Sequence, residues 1–306
     1  MFLKIRDGFI IIQAIFASEI ITGVCANVFI IFVILYGFHK KHYLSTSYKI
    51  LLALCFSNVI YAFVTATNLY ITFYWPGIYS VQTHTYIIFS LGSFCFTSCA
   101  WLTSCLCIFY FFKIINFSSR FLTQVKMKID TYVPGLILAV ELVSLGSGFS
   151  SMSLYIIPIS PRNAAVNSST NGTLGSTDTG QAMLWPSFIP MGIPLMVGFV
   201  ATFYVFRYIK LHSHRMKAGS IGCDSLKAHQ TAANTMLRLL VFCLIMYVAL
   251  CGFCFGIFPP LSAGNWLVAI INLSFTPVQS FLLIHGNPKL KEACLERIRC
   301  RNTAKH

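Results

Sequence analysis

The sequence predicts an all-α membrane protein built as a bundle of seven helices. Two features point there: an apolar composition, and apolar residues gathered into long blocks. Of 306 residues, 57% are hydrophobic and only 10% charged, with a mean hydropathy of +0.74. A soluble domain carries roughly 25% charged residues, so this chain lacks the polar surface to meet water on every side. The blocks run at about 8–37, 47–74, 85–112, 131–157, 183–207, 235–257 and 266–284. Each is close to or above the ~20 residues that cross ~30 Å of hydrocarbon, and such a segment must be helical because lipid offers its backbone no partner. A transmembrane barrel would show alternating stretches of ~10 residues, and none are visible. The first block is too long for a cleavable signal peptide and lacks a small-residue cleavage site.

The positive charges set the expected orientation. With the N-terminus outside, the inner segments are about 38–46, 113–130, 208–234 and 285–306, and eighteen of the 22 Lys and Arg residues lie at that face. This is the positive-inside pattern of a multi-pass membrane protein with a cytoplasmic C-terminus. The net charge of +14 is therefore topological first and does not indicate nucleic-acid binding. The stretches outside the helices are short, which predicts a single seven-helix domain over 1–306 with a cytoplasmic tail at 285–306.

The expected outer loop at about 158–182 is rich in Ser, Thr, Asn and Gly and carries two glycosylation sequons, at Asn167 and Asn171. No cysteine falls in it, so it cannot be tethered to the third helix by a disulfide. The twelve cysteines show no paired C-x-x-C arrangement of a zinc site and read as small apolar packing residues. No metal or cofactor is expected. No catalytic motif appears either: there is no G-x-S-x-G elbow, H-E-x-x-H, P-loop or dinucleotide turn.

Several residues stand out within the helices. Glu19 and Glu141 are the acids inside spans, where a carboxyl is either functional or a hydrogen-bonding strut between helices. Arg238 sits about two turns into the sixth helix, to be kept there by snorkelling or by a polar partner. Pro190, Pro194 and Pro277 remove backbone bonds in the fifth and seventh helices. Aromatic residues are numerous; lipid contact accounts for most, and some are available to line an apolar crevice. The basic stretch at 208–234 is either solvated near anionic lipid or a docking surface.

The inner end of the third helix reads Phe109-Tyr110-Phe111-Phe112-Lys113-Ile114-Ile115-Asn116-Phe117-Ser118. It resembles the F-Y-F-L-K-I-A-N-F-S signature of the type 2 taste receptors, the bitter receptors, changed only at Phe112 and Ile115. Phe121, Leu122 and Lys126 continue in step with the family's F-L-x-x-L-K. Glu19, Gly23, Asn27 and Phe29 match its first-helix pattern, and His212 and Met216, His229 and Ala232, and Ser280 through Lys291 match its later ones. Some positions depart: Tyr48 replaces an Asp, Asn58 an Arg, Gln279 a His, and Arg238 a small polar residue.

The resemblance implies a seven-transmembrane bundle of the G-protein-coupled receptor type, not an enzyme. It implies small bitter agonists in an outer crevice and a heterotrimeric G protein with a gustducin-type or inhibitory α subunit as partner. On that basis Asn68, Gly92, Phe96, Thr97, Ala269 and Asn272 are expected at the ligand, and Tyr110, Lys113, His212, Lys217 and His229 at the G protein. Glu19, Asn27, Asn58 and Ser280 are the expected structural or switch positions. Homo- or hetero-oligomerisation is left open. A type 1 vomeronasal receptor shares the architecture but not the third-helix signature. A transporter would show an internal repeat with paired broken helices, which is not visible.

Overall fold

The computed structural model describes residues 2–75, 82–117, 119–156, 185–216, 223–254, 257–258 and 262–303. Among them nine helices follow in order: α1 (Phe2–Lys41), α2 (Thr46–Tyr74), α3 (Gln82–Ile114), α4 (Arg120–Ile156), α5 (Trp185–Met216), α6 (Cys223–Cys254), α7 (Ala263–Leu273), α8 (Phe275–Gly286) and α9 (Pro288–Thr303). Seven stretches are long and apolar enough to cross a membrane, with α7 and α8 together forming the seventh.

The helices outrun the apolar blocks. α4 begins at Arg120 rather than near 131, and α6 at Cys223 rather than near 235. Hydropathy marks where lipid starts, whereas a helix continues into polar sequence as long as nothing breaks its ladder. The tail after the seventh span is itself helical, as α9. Its start is capped by Asn287, whose Oδ1 accepts from the backbone N–H of Lys289 at 3.1 Å and of Leu290 at 3.4 Å.

The seventh span breaks at Ser274 for a local reason. Pro277 has no N–H, so the carbonyl of Leu273, four residues back, loses its partner. The neighbouring rungs hold, with Ser274 N–H on Ile270 O at 2.9 Å and Val278 N–H on Ser274 O at 3.0 Å. α1 packs directly against the break. A Cβ at Gly23 would lie 3.0 Å from both Pro277 Cδ and Thr276 Cγ2, so only glycine admits this approach.

α1 shows its neighbours a stripe of Phe16, Gly23, Asn27, Ile30 and Ile34, and leaves Ile21, Val28 and Leu35 outward. α3 is the most deeply buried of the seven spans. It runs through the centre, with Phe96, Cys99, Leu102, Cys105, Leu106 and Phe109 in the common core. The alternation of direction brings the C-terminal ends of α1, α3, α5 and α8 to one end of the bundle, together with the starts of α2, α4 and α6. That end carries Lys40, Lys113, Arg120, Lys128, Arg207, Lys210 and Lys289, all exposed.

At this basic end α6 and α8 are pressed together. Any side chain added at Gly286 would run into the Thr235 side chain. Thr235 is β-branched and held by its own bond to Thr231 O at 2.8 Å, so it has little room to turn away. Replacing Gly286 with leucine is therefore expected to overpack the contact and cost about 1–3 kcal/mol. Thermal unfolding of the purified protein should show a lower midpoint, and adding Thr235→Ala in the same chain should recover most of it.

Candidate functional site

A hydrogen-bonded belt crosses the middle of the bundle. Asn27 of α1 donates through Nδ2 to Gly23 O at 2.9 Å and accepts through Oδ1 from Asn58 Nδ2 of α2 at 3.3 Å. Asn58 Oδ1 in turn accepts from Cys99 Sγ of α3 at 3.1 Å. One turn on, Thr103 donates to Cys99 O at 2.7 Å and accepts from Gln279 Nε2 of α8 at 3.1 Å. Asn27, Asn58, Thr103 and Gln279 are fully buried, so these bonds replace water that cannot reach them. Ser280 is buried beside Gln279 and turns its hydroxyl back onto Thr276 O at 2.7 Å.

Two acids join neighbouring helices. Ser98 Oγ of α3 donates to Glu141 Oε1 of α4 at 2.8 Å, so its 3.0 Å contact with Ser57 of α2 is donated from Ser57. Glu19 Oε1 accepts from the hydroxyl of Ser274, the break residue, at 2.9 Å, while its Oε2 is buried without a hydrogen-bond partner.

Immediately beyond the belt, away from the basic end, four rings meet. Phe275 of α8 lies 5.0 Å from Phe96 of α3, 5.6 Å from Tyr61 of α2 and 6.1 Å from Phe242 of α6, between centroids. The contacts are tilted, edge-on and stacked in turn, and the edge-on and offset arrangements are favourable for aromatic pairs. The cluster joins four helices at one level, and Phe275 is the first residue after the break. Phe96 is only 3% exposed, which places it in the floor of any crevice above rather than on its wall.

Asn68, Gly92, Ala269 and Asn272 lie beyond that floor and are partly exposed. A Cβ at Gly92 would meet nothing within 4 Å, so the α3 wall is open there. Asn272 donates to Val268 O at 3.0 Å, and its Oδ1 is left without a hydrogen-bond partner. Thr97 is placed differently. It is fully buried and contacts Ser147 Oγ at 3.3 Å, inside the α3–α4 interface. On the α5–α6 side, Tyr247 donates to Phe188 O at 3.4 Å and stacks edge-on against the Phe188 ring. Tyr61, Phe242, Phe275 and Tyr247 were not singled out by the sequence, where they are indistinguishable from lipid-facing aromatics.

At the basic end, the segment after α3 is folded onto itself. Phe117 packs between Phe111 and Phe112, with centroids at 5.5 and 5.6 Å. Lys126 of α4 donates to Ile115 O and to Asn116 Oδ1, each at 2.9 Å. A cation at the C-terminus of α3 satisfies a free carbonyl and opposes the helix dipole. Lys126 is thus a positioning residue that the F-L-x-x-L-K pattern contained without revealing its role. Lys113 is exposed, its Nζ 5.2 Å from the centre of the Phe109 ring. Tyr110 lies near Tyr48, which in turn lies near the Asn287 side chain. Lys217, Asn167 and Asn171 lie outside the described residues. His212 and His229 fall on α5 and α6 with their side chains likewise outside what is described.

The seven-span helical bundle agrees with what comparison with known proteins shows. The profile of the taste receptor protein (TAS2R) family matches residues 2–302. The chain is 26% identical over 286 residues to taste receptor type 2 member 9 of Papio hamadryas, covering 92% of this chain and 91% of that one. The human member 9 is 26% identical over 287 residues, with the same coverage. Member 116 of Rattus norvegicus is 23% identical over 310 residues, covering 97% and 93%. A match along nearly the whole chain, on a seven-span helical bundle, makes this protein a member of the type 2 taste receptor family of multi-pass, G-protein-coupled membrane receptors.

Proposed function

We propose that this receptor binds small apolar bitter compounds at the end of the bundle away from the basic face, and that binding is relayed through the ring cluster to a gustducin-type or inhibitory G protein. The N-terminus faces outward and the basic end faces the cytoplasm. The observation that carries this reading is the meeting of Tyr61, Phe96, Phe242 and Phe275 below the open α3 wall at Gly92. A compound resting on this floor touches α2, α3, α6 and α8 at once. Asn68, Ala269 and Asn272 rim the space above, and the free Oδ1 of Asn272 offers an acceptor to a ligand donor.

Physically the ligand need only bind the state with open inner ends better than the closed one; a tenfold preference is about 1.4 kcal/mol. Opening requires α6 to leave α8 where Thr235 meets Gly286. The exposed Lys113, beside the folded Phe117 segment, then faces the incoming α subunit together with Tyr110, His212, Lys217 and His229. Asn167 and Asn171 are the proposed glycosylation sites of the outer loop.

Phe96→Asn exchanges an apolar floor for a polar one. It is expected to weaken apolar agonists by about tenfold or more, roughly 1.4 kcal/mol, and to favour agonists with hydrogen-bonding groups. Calcium responses to an agonist panel, in cells carrying a chimeric G protein, measure this; an unchanged profile would sink the assignment of the floor.

Two lysines separate contact from support. Lys113→Ala is expected to abolish signalling at normal surface expression and unchanged thermal stability. Lys126→Met leaves the end of α3 unsatisfied, so it should lower stability as well, by about 1–3 kcal/mol. Signalling, surface staining and melting of the two variants side by side test the distinction. Normal signalling by the Lys113 variant would count against the coupling face.

A further inference from the structure

Arg238 has no role in anything described above. It lies within the membrane span Gln230–Gly252, yet its side chain is exposed. The buried stripe of α6 is Ala233, Met236, Leu239, Leu240, Cys243 and Met246. At ~100° per residue, Arg238 falls on the opposite side of the helix, facing directly away from the bundle. On that outward face, towards the middle of the membrane, Val241, Ile245 and Val248 are exposed and apolar. Towards the basic end the exposed residues are instead Asn234, Thr231 and Gln230. The face changes from apolar to polar at Arg238.

Among the described residues, no acid pairs with it. Of the acids within the spans, Glu141 is engaged with Ser98 and Glu19 with Ser274, and Asp130 is exposed on α4. Eight residues separate Arg238 from Gln230, which is about 12 Å along the helix. The side chain can snorkel over part of that distance, and its head then lies at the lower edge of the headgroup layer. A water-borne anion reaches that depth poorly, whereas a lipid phosphate is already there. The guanidinium fork matches a phosphate with two parallel bonds, and Asn234, one turn nearer the end, adds an amide donor. Exposed Arg207 and Lys210 on α5, which packs against α6, raise the local positive potential.

We propose that the outward face of α6, through Arg238 and Asn234, holds the phosphate of a phospholipid in the leaflet at the basic end, with anionic headgroups preferred. The proposal needs only that the chain spans a membrane, not that the agonist or coupling assignments hold.

Native mass spectrometry of the full-length purified receptor, titrated with phosphatidylserine or phosphatidylcholine, tests it. The unaltered protein is expected to retain one phosphatidylserine about tenfold more tightly than Arg238→Leu does. Arg238→Lys should fall between them, because a point charge lacks the fork. Leucine matches the exposed apolar neighbours of α6, so the variant should melt no lower, and Arg238→Gln provides a second polar control. Equal retention by the unaltered protein and Arg238→Leu would overturn the proposal. So would displacement of the lipid by millimolar inorganic phosphate, which would mark a soluble-anion site instead.

Discussion

Everything else in this receptor depends on α3 having almost no lipid face. A helix surrounded by helices cannot send its polar side chains to water or headgroups, so most are met by a neighbour, while Ser90 Oγ and Trp101 Nε1 are buried without a hydrogen-bond partner. Ser98 reaches α2 and α4, Cys99 reaches α2, Thr103 reaches α8, and Ser104 donates to Pro194 O of α5. In transmembrane bundles a bond of this kind contributes about 0.6 kcal/mol on average. No single one is decisive. Their combined effect is to set the height and rotation of α3 against four partners, because the directions of all the bonds agree in only one register. The level of the Phe96 cluster and the exit of Lys113 follow from that register.

Much of the fold was legible because lipid is a simple solvent: long apolar blocks must be helices, and seven were visible. What hydropathy could not show was anything decided by a single backbone rung or a close contact. The break at Ser274 comes from one missing N–H at Pro277, combined with the packing of Gly23 against it. The extension of α4 back to Arg120 lies in polar sequence. In the candidate site, Asn27 and Asn58 could be singled out as polar residues in apolar helices, and they meet. Thr97 could not be placed, since a threonine next to Phe96 in sequence points about 100° away and finds α4 instead. The four-ring floor was invisible for the opposite reason: in a chain with 46 aromatics (Phe 28, Tyr 14, Trp 4), composition does not distinguish rings that face each other from rings that face lipid.

Three of the four departures from the family pattern share one physical direction, and Arg238 runs the other way. Asn58 stands where the resemblance to the family pattern implies Arg, Tyr48 where it implies Asp, and Gln279 where it implies His. In each case a charged or titratable group gives way to a neutral one, and each replacement has a polar neighbour: Asn27 and Cys99, the Asn287 side chain, and Thr103. Removing a buried charge avoids a desolvation cost that its pairing would only partly offset. The belt from Asn27 to Gln279 is therefore built from amides, a hydroxyl and a thiol. Such bonds can exchange partners at little electrostatic cost.

Glu141, Glu19 and Arg238, which lie within the described spans, sit in different settings. Glu141 and Glu19 are each anchored by a serine hydroxyl from another helix, so they act as struts whose geometry is set by their neighbours. Arg238 faces away from the bundle, and among the described residues no acid pairs with it. A charge in the interior of a neutral belt would have to be carried through any rearrangement of α6 and α8. A charge on the outer face of α6 has no such constraint, because its partner moves with the membrane. Arg238 thus sits at the edge of the bundle rather than on its axis, where lipid rather than protein can neutralise it.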